Sequence, residues 1–228
     1  MKKILPILLL CVSFSNAQTK SELQKHYEAF YSQMKAQGDV NGIINALTHL
    51  NVISPSVARK DTLAYVYANN GQHLQALNTI GVEKNDADSN LAVQIKAISL
   101  KAINQPKRAI EQFEILFKKT PSPFIAYKLA DLKIMTGDYT GATKNITYGL
   151  ANVKDEMKYA FYEREQPYEA SLKAAFTHLK ALAQYQKDQN IDAALTSINE
   201  ALIIDPSFNL ASLTKQALET RKANPEGK

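Results

Sequence analysis

The feature that most constrains this chain is a regularly repeated interruption of a helical pattern. Four residues that disfavour helix continuation stand at a constant interval of 33 residues: Gly38, Gly71, Asn104 and Gly137. Gln189 takes the same place in a later unit. On both sides of each interruption, apolar residues recur three and four positions apart, which is the period of an amphipathic helix. Equal spacing of helix pairs predicts a stacked array, because one pair alone cannot bury its apolar face.

The residues after each interruption predict how the two helices of a pair pack. Five positions after each interruption stands a residue that is small in four of the five units, and four positions after that stands a large residue. The pairs are Ile43 and Leu47, Ala76 and Ile80, Ala109 and Phe113, Ala142 and Ile146, and Ala194 and Ile198. A small residue lets the second helix approach the first, and the large residue fills the adjoining space. Three second helices are expected to end before a proline, at Pro55, Pro121 and Pro206.

These features resemble the tetratricopeptide repeat family. The best-matching segment runs from Tyr185 to Pro206, with the aromatic, small-residue, Ala-Leu and Asp-Pro pattern of that family, and residues 128–142 and 67–77 are also similar to it. The family period is about 34 residues, and Asp88 and Lys154 stand where proline is expected. The resemblance covers about residues 20–222. It implies an all-α fold, an α-solenoid of about five antiparallel helix pairs wound as a right-handed superhelix.

Other helical-hairpin arrays remain an alternative. Ankyrin arrays have a 33-residue period, but their Thr-Pro-Leu-His segment is missing from this sequence.

The period places the repeats at about 24–56, 57–89, 90–122, 123–155 and 175–208, followed by a capping helix at about 208–222 and a disordered tail at 223–228.

One interval is longer than the others, because Gly137 and Gln189 are 52 residues apart. The sequence therefore predicts an insertion at about 156–174, rich in aromatic residues such as Tyr159, Phe161 and Tyr162. A long helical pattern is expected to follow from Tyr168 to Lys187. Two interpretations stay open: an extended hairpin whose aromatic residues pack against the array, or a lid or docking loop for a ligand.

Residues 1–17 have the pattern of a secretory signal peptide. Lys2 and Lys3 precede an apolar run, and the small residues of Ser15-Asn16-Ala17 follow it. The expected mature protein begins at Gln18 and is periplasmic or secreted. Lipid attachment at Cys11 is a disfavoured alternative, because Leu10 stands where lipoprotein signals have a small residue. A membrane-spanning helix needs about 20 apolar residues, so no transmembrane segment is expected after cleavage.

Charge and residue types argue against several functional classes. The chain has 27 Lys and Arg against 22 Asp and Glu, but no basic run of the kind that binds nucleic acid. Cys11 is the only cysteine, and four isolated histidines do not form a metal-ligand motif: His26, His49, His73 and His178. The acidic segment 86–90 is interpreted as a helix cap. We therefore expect no catalytic residues, no cofactor and no metal site, and thus no enzyme.

The resemblance implies a concave groove lined by the first helix of each pair. Residues ten, six and three positions before an interruption point into it, and eight are our candidate binding residues: Asp61, Tyr65, Gln94, Ile98, Lys101, Tyr127, Asp131 and Ile134. The two tyrosines are the expected anchors for a peptide or protein partner, the two isoleucines its apolar flanks, and the two aspartates readers of a basic side chain.

The sequence thus favours a non-catalytic protein-interaction scaffold of the bacterial cell envelope. Two other functions remain open, namely binding of a small ligand or glycan in the groove, and an enzyme with an unrecognised site.

Overall fold

The structure, a computed structural model, describes residues 19–224 and consists there of eleven helices and one β-hairpin. The elements are α1 (Lys20–Gln37), α2 (Val40–Ile53), α3 (Val57–Asn69), α4 (His73–Ile80), α5 (Asn90–Ala102), α6 (Pro106–Lys119), α7 (Pro123–Met135), α8 (Tyr139–Asn152), β1 (Lys158–Phe161), β2 (Tyr168–Ser171), α9 (Leu172–Asp188), α10 (Ile191–Ile204) and α11 (Asn209–Ala223). The chain divides after Lys60 into two compact units.

The first unit is a helix hairpin of α1 and α2. Thr19 and Glu22 form a reciprocal capping box, which satisfies backbone N–H groups at the start of α1. Asp39 caps α2 by accepting a hydrogen bond from the N–H of Gly42 at 2.9 Å. The rings of Tyr27 and His49 stack with their centroids 4.3 Å apart, which fixes the contact between the two helices.

The five interruptions share one backbone conformation. Each has a positive φ angle in the left-handed region, from 53° at Gln189 to 82° at Gly137. After four of them, the next N–H group reaches back to a carbonyl in the last turn of the helix, as that of Asp138 does to Lys133 at 2.8 Å. The spacing read from the sequence is therefore confirmed by the geometry of the turns.

The small-then-large pattern is also confirmed. The four alanines after the interruptions are fully buried: Ala76, Ala109, Ala142 and Ala194. Leu47, Phe113, Ile146 and Ile198 are buried one turn later, whereas Ile43 and Ile80 are half-buried. The alanines occupy the places where second helices approach first helices, so they set how closely each pair packs.

The second unit, residues 61–224, is an all-α solenoid. Its consecutive helices from α4 to α11 pack against one another in chain order, alternating contacts within a pair and contacts between pairs. Ser122 and Pro123 begin α7 as a cap and a first-turn proline, and α6 and α10 each end two residues before a proline. These helix limits agree with the sequence-based expectation.

The prediction of helix from Tyr168 onward is wrong for its first four residues. Residues 168–171 form β2, which pairs antiparallel with β1 in the register that places Tyr159 opposite Ala170 and Phe161 opposite Tyr168. Apolar residues alternate along β1, with Tyr159 and Phe161 facing the helices. That two-residue period was present in the sequence, but it extends over too few residues to stand out from the helical pattern around it.

The segment between α4 and α5 also differs from the expected repeat. Gly81, with φ of 82°, ends α4 after eight residues. The buried Lys96 organises the segment that follows, since its Nζ donates to Asp88 at 2.5 Å and to the carbonyl of Glu83 at 2.9 Å. Ser89 then caps α5 by accepting from the N–H of Ala92, which confirms that the acidic segment is a helix cap.

The predicted signal peptide, Cys11 and the last four residues of the predicted tail lie outside the described residues. Helix α11 runs from Asn209 to Ala223, where the capping helix is expected. Within residues 19–224, each helix is too short or too polar to cross a bilayer.

Candidate functional site

The eight candidate binding residues lie on α3, α5 and α7, but their exposure differs. Tyr65 is 48% exposed and Ile98 is 36% exposed. Gln94 and Lys101 are also exposed, and Asp131 and Ile134 are half-buried. Asp61 and Tyr127, by contrast, are buried. We call the four exposed residues the open stripe: Tyr65, Gln94, Ile98 and Lys101.

Lys101 and Asp131 form an ion pair between α5 and α7, with 2.9 Å between Nζ and Oδ2. This contact shows that candidate residues of two successive first helices do lie side by side. It also corrects the role expected for Asp131, because this carboxylate already has a cationic partner. Both side chains remain partly exposed, so the pair is screened by water and contributes little to stability.

The role expected for Asp61 is wrong as well. Its carboxylate accepts a hydrogen bond from the hydroxyl of Ser89 at 2.6 Å, and its side chain is buried. Ser89 also caps α5, so the two residues tie the start of α5 to α3. Asp61 therefore holds the array together and does not read the charge of a partner.

Tyr127 is a core residue and not an exposed anchor. Its ring lies 4.5 Å from that of Tyr159 on β1 and 5.6 Å from that of Phe176 on α9, measured between centroids. Burial is the main reason that the pKa of Tyr127 is raised well above its ordinary value, and the nearby Asp131 adds to the shift. The hairpin covers this part of the first-helix surface, which sequence periodicity alone does not show.

The hairpin also contacts the start of α11. Phe161 contacts Phe208 at the start of α11, with ring centroids 4.9 Å apart. The hydroxyl of Tyr168 accepts a hydrogen bond from the N–H of Leu210 at 3.1 Å and bonds to the carboxylate of Glu163. Burial, followed by the bond to Glu163, raises the pKa of Tyr168 to about 12. The hairpin aromatics thus pack against the array, whereas Tyr162 at its tip is 74% exposed.

Two residues that the sequence did not single out extend the open stripe. Phe124 and Lys128 on α7, together with Gln94 on α5, line a cavity of about 300 Å³. Lys128 lies over the ring of Phe113, 5.6 Å from its centroid. Burial, followed by the neighbouring Lys101, lowers the pKa of Lys128. The signal in the sequence for this cavity was Lys128, a lysine within the mostly apolar segment of α7.

A second concavity lies between α8 and α9. It has a volume of about 420 Å³, and its lining combines the apolar side chains of Ile146, Leu150 and Ala183 with the polar groups of Thr147 and Lys180. We call this cavity the α8/α9 crevice. The sequence did not predict it, because it depends on how two helices meet and not on a motif within either one.

His178 is the one buried histidine among the described residues. Its Nε2 lies 2.9 Å from the hydroxyl oxygen of Thr214, and Phe208 packs edge-on against its ring. Burial lowers the pKa of His178 to about 4, although Asp131 and Glu163 act in the opposite direction. The imidazole is therefore neutral at physiological pH. Across residues 19–224, no three His, Cys, Asp or Glu side chains converge as metal ligands would.

Comparison of the sequence with protein-family profiles and with curated proteins finds no match. Solved structures are similar to it. A tetratricopeptide repeat protein from Parabacteroides merdae ATCC 43184 matches with a TM-score of 0.67 at 14% identity, over 89% of this chain and 74% of that one. YrrB, described as a TPR protein with an unusual peptide-binding site, matches with a TM-score of 0.65 at 13% identity, over 83% and 90%.

MamA gives a TM-score of 0.62 at 17% identity, over 82% of this chain and 93% of MamA. Identities this low establish the fold and nothing finer. The chain therefore has the fold of tetratricopeptide repeat proteins, a scaffold of stacked helix pairs.

Proposed function

We propose that this protein is a non-catalytic interaction scaffold of the bacterial cell envelope and that it binds a segment of a protein partner along the open stripe. One observation carries the proposal: Tyr65 and Ile98 occupy the same position in two successive first helices, and both are exposed. An interface concentrates its affinity in a few aromatic or aliphatic anchors. Tyr65 is the anchor that remains now that Tyr127 is assigned to the core.

The charges beside the stripe favour a partner with an acidic side chain. Lys128 lies in the cavity at the α7 end of the stripe, and the repulsion between it and Lys101 contributes to its lowered pKa. A partner carboxylate beside Lys128 would stabilise its ammonium group, whereas Lys101 is already paired with Asp131. Such a contact adds orientation and association rate more than affinity. The description of YrrB as peptide-binding supports a peptide segment as the occupant.

The proposal is tested by replacing both exposed stripe residues. The Tyr65→Ala/Ile98→Ala variant should capture at least tenfold less partner from crosslinked envelope fractions than the unaltered protein does, a factor that corresponds to about 1.4 kcal/mol. The matched control is Leu74→Ala, because Leu74 is also apolar and exposed but lies on the second helix α4. If the stripe variant folds and captures as much as the control, the proposed site is wrong.

The envelope location rests on residues 1–17 and has its own test. Mass spectrometry of the exported protein should find Gln18 at the N-terminus, because cleavage is expected after Ala17. An acylated N-terminus at Cys11, or a mature chain that retains Lys2 and Lys3, would contradict it.

The α8/α9 crevice favours a second candidate, binding of a small apolar ligand. Its size falls within the range of ligand pockets, and its lining combines apolar walls with a few polar groups. Ala151→Trp would fill the crevice from an exposed position in its lining. Ligand-induced thermal stabilisation that is lost in this variant but kept in the Tyr65→Ala/Ile98→Ala variant would support the second candidate.

A further inference from the structure

The register of the hairpin determines which backbone groups point away from it. The N–H of Leu172 donates to the carbonyl of Met157 at 2.9 Å, just beyond the paired strands. Hydrogen-bonded pairs alternate along an antiparallel ladder. The pairs Tyr159/Ala170 and Phe161/Tyr168 are therefore also hydrogen-bonded, and the N–H and C=O groups of Lys158 and Ala160 point outward from β1.

The outer edge of β2 is engaged by the array. By the same register, the N–H of Ser171 points away from β1, and it donates to the carboxylate of Asp205 at 2.8 Å. Asp205 lies in the turn between α10 and α11, and Tyr168 accepts from the N–H of Leu210 in the first turn of α11. The bond from Ser171 to Asp205 confirms the register independently, and both bonds show that β2 faces α11.

The outer edge of β1 is different. Tyr159 places β1 on the side of α7, through its contact with Tyr127. No group within residues 19–224 is hydrogen-bonded to the backbone of Lys158 or Ala160 on that side. Lys158 is exposed and Ala160 is half-buried, so neither residue is sealed within the array. The hairpin therefore has one closed edge and one open edge.

An open strand edge selects its occupant by chemistry. It presents donors and acceptors at alternate residues, and an extended polypeptide has the complementary groups at the same spacing. A third strand would lie about 4.8 Å from β1, on the side of α7 where Tyr127 and Asp131 are found. Its inward side chains would meet these residues, and its outward ones would meet water beside Lys158.

We propose that the outer edge of β1 is a docking site for an extended segment of a partner protein, which joins the hairpin as a third strand. The segment has alternating apolar and polar residues, because one face packs on the helices and the other is solvated. This inference deepens the proposed function: it rests on a peptide partner, and it assigns the conformation of that peptide and the main-chain groups that hold it.

The test uses a probe of defined composition. Random 12-residue peptides displayed on phage are selected on the full mature protein, and the tightest binder is synthesised. Backbone amide exchange is then followed by NMR with and without saturating peptide. The amides of Lys158 and Ala160 should exchange at least tenfold more slowly in the complex. N-methylation of successive peptide residues should weaken binding at every second position, because only alternate N–H groups face β1.

A variant isolates the main-chain contribution. Ala160→Pro removes an outward N–H and no bond to β2, which is a position where a strand tolerates proline. It should bind the peptide at least tenfold more weakly, whereas Ala160→Val, which keeps the N–H, should bind within twofold of the unaltered protein. The near-ultraviolet circular dichroism of the tyrosines reports whether the hairpin persists. If the proline variant loses the hairpin, amide exchange in the unaltered protein decides the question.

The two proposals fail in different ways. If Tyr65→Ala/Ile98→Ala abolishes peptide binding while the two amides and the proline variant are unaffected, the partner lies on the stripe alone and the strand-edge inference is overturned. If the edge amides are protected while the stripe variant binds normally, the edge acts without the stripe. That result would overturn the proposed function and leave the strand edge as the site.

Discussion

The ring of Phe176 lies where a side chain at position 149 would begin. A Cβ atom at Gly149 would stand 2.1 Å from Cζ of Phe176, so α8 and α9 meet more closely here than any larger residue allows. Gly149→Ala should therefore lower the free energy of unfolding by about 1–3 kcal/mol through overpacking. The loss should appear although alanine favours a helix by about 1 kcal/mol over glycine. Urea denaturation measures the difference.

A second substitution tests the cause of that loss. In a Phe176→Leu background the ring is gone, so Gly149→Ala should cost less than half as much as it does in the unaltered protein. Equal costs in the two backgrounds would mean that the ring is not the obstacle.

The buried alanines make a related prediction about helix pairs. Ala194 and Ala142 are fully buried between helices, so Ala194→Leu and Ala142→Leu should each destabilise by about 1–3 kcal/mol. Ala29→Leu is the matched control, because Ala29 lies within a helix but is exposed. Its melting temperature should be unchanged within about 1 °C. Melts of the buried variants that coincide with the control would show that the alanines do not set the packing distance.

The two tyrosines first expected to act together should behave as opposites. Tyr127→Ala removes a ring from the aromatic core and should lower the free energy of unfolding by about 3–5 kcal/mol. Tyr65→Ala should change it by no more than about 0.5 kcal/mol, since Tyr65 is on the open stripe. Chemical denaturation of both variants, monitored by circular dichroism, separates the two roles. Comparable losses in unfolding free energy would show that Tyr65 is also a core residue and cannot be the anchor of the open stripe.

His178 should make stability depend on pH. Its pKa is lowered to about 4 in the folded protein by burial, against an ordinary pKa of 6.5. Between these values the unfolded chain binds more protons, so the free energy of unfolding falls as the pH is lowered from about 6.5 towards 4. At 1.36 kcal/mol per pKa unit, this loss is about 3 kcal/mol at most. Above pH 6.5, the contribution of the neutral imidazole is complete.

His178→Gln removes the titration while keeping a group able to bond to Thr214. Its unfolding free energy should fall less between pH 7.5 and pH 4.5 than that of the unaltered protein, as measured in urea. His26→Gln is the control, because His26 is exposed. If His178→Gln and His26→Gln have the same pH dependence, then Asp131 and Glu163 offset the burial of His178 more than its geometry implies.

The repeat was predictable because it depends on local chemistry. A left-handed backbone residue, a small residue five positions on and a proline after the second helix are each specified within one segment of chain. Those signals fixed the helix pairs to within a few residues. They also assigned Lys101 and Asp131 to the same face of successive first helices, where the structure pairs them.

The site was less predictable because the exposure of each candidate residue depends on contacts with segments that are distant in the sequence. Tyr127 satisfies the groove rule, yet Tyr159, 32 residues later, covers it. Asp61 has the chemistry of a charge reader, but Ser89 occupies its carboxylate. A periodicity assigns a residue to a face of its helix, and only the packed structure reveals what lies on that face.

The hairpin enters the chain between α8 and α9, yet these helices still pack directly against each other, as α6 packs against α7. The packing of successive helices in the second unit therefore does not depend on the length of the segment that connects them at this point. A connection between repeats is thus a site of architectural growth. Here the connection has added a hairpin, whose hydrogen bonds join two strands, to an otherwise helical scaffold. Ala142 and Ala194, on either side of it, still stand five residues after their interruptions.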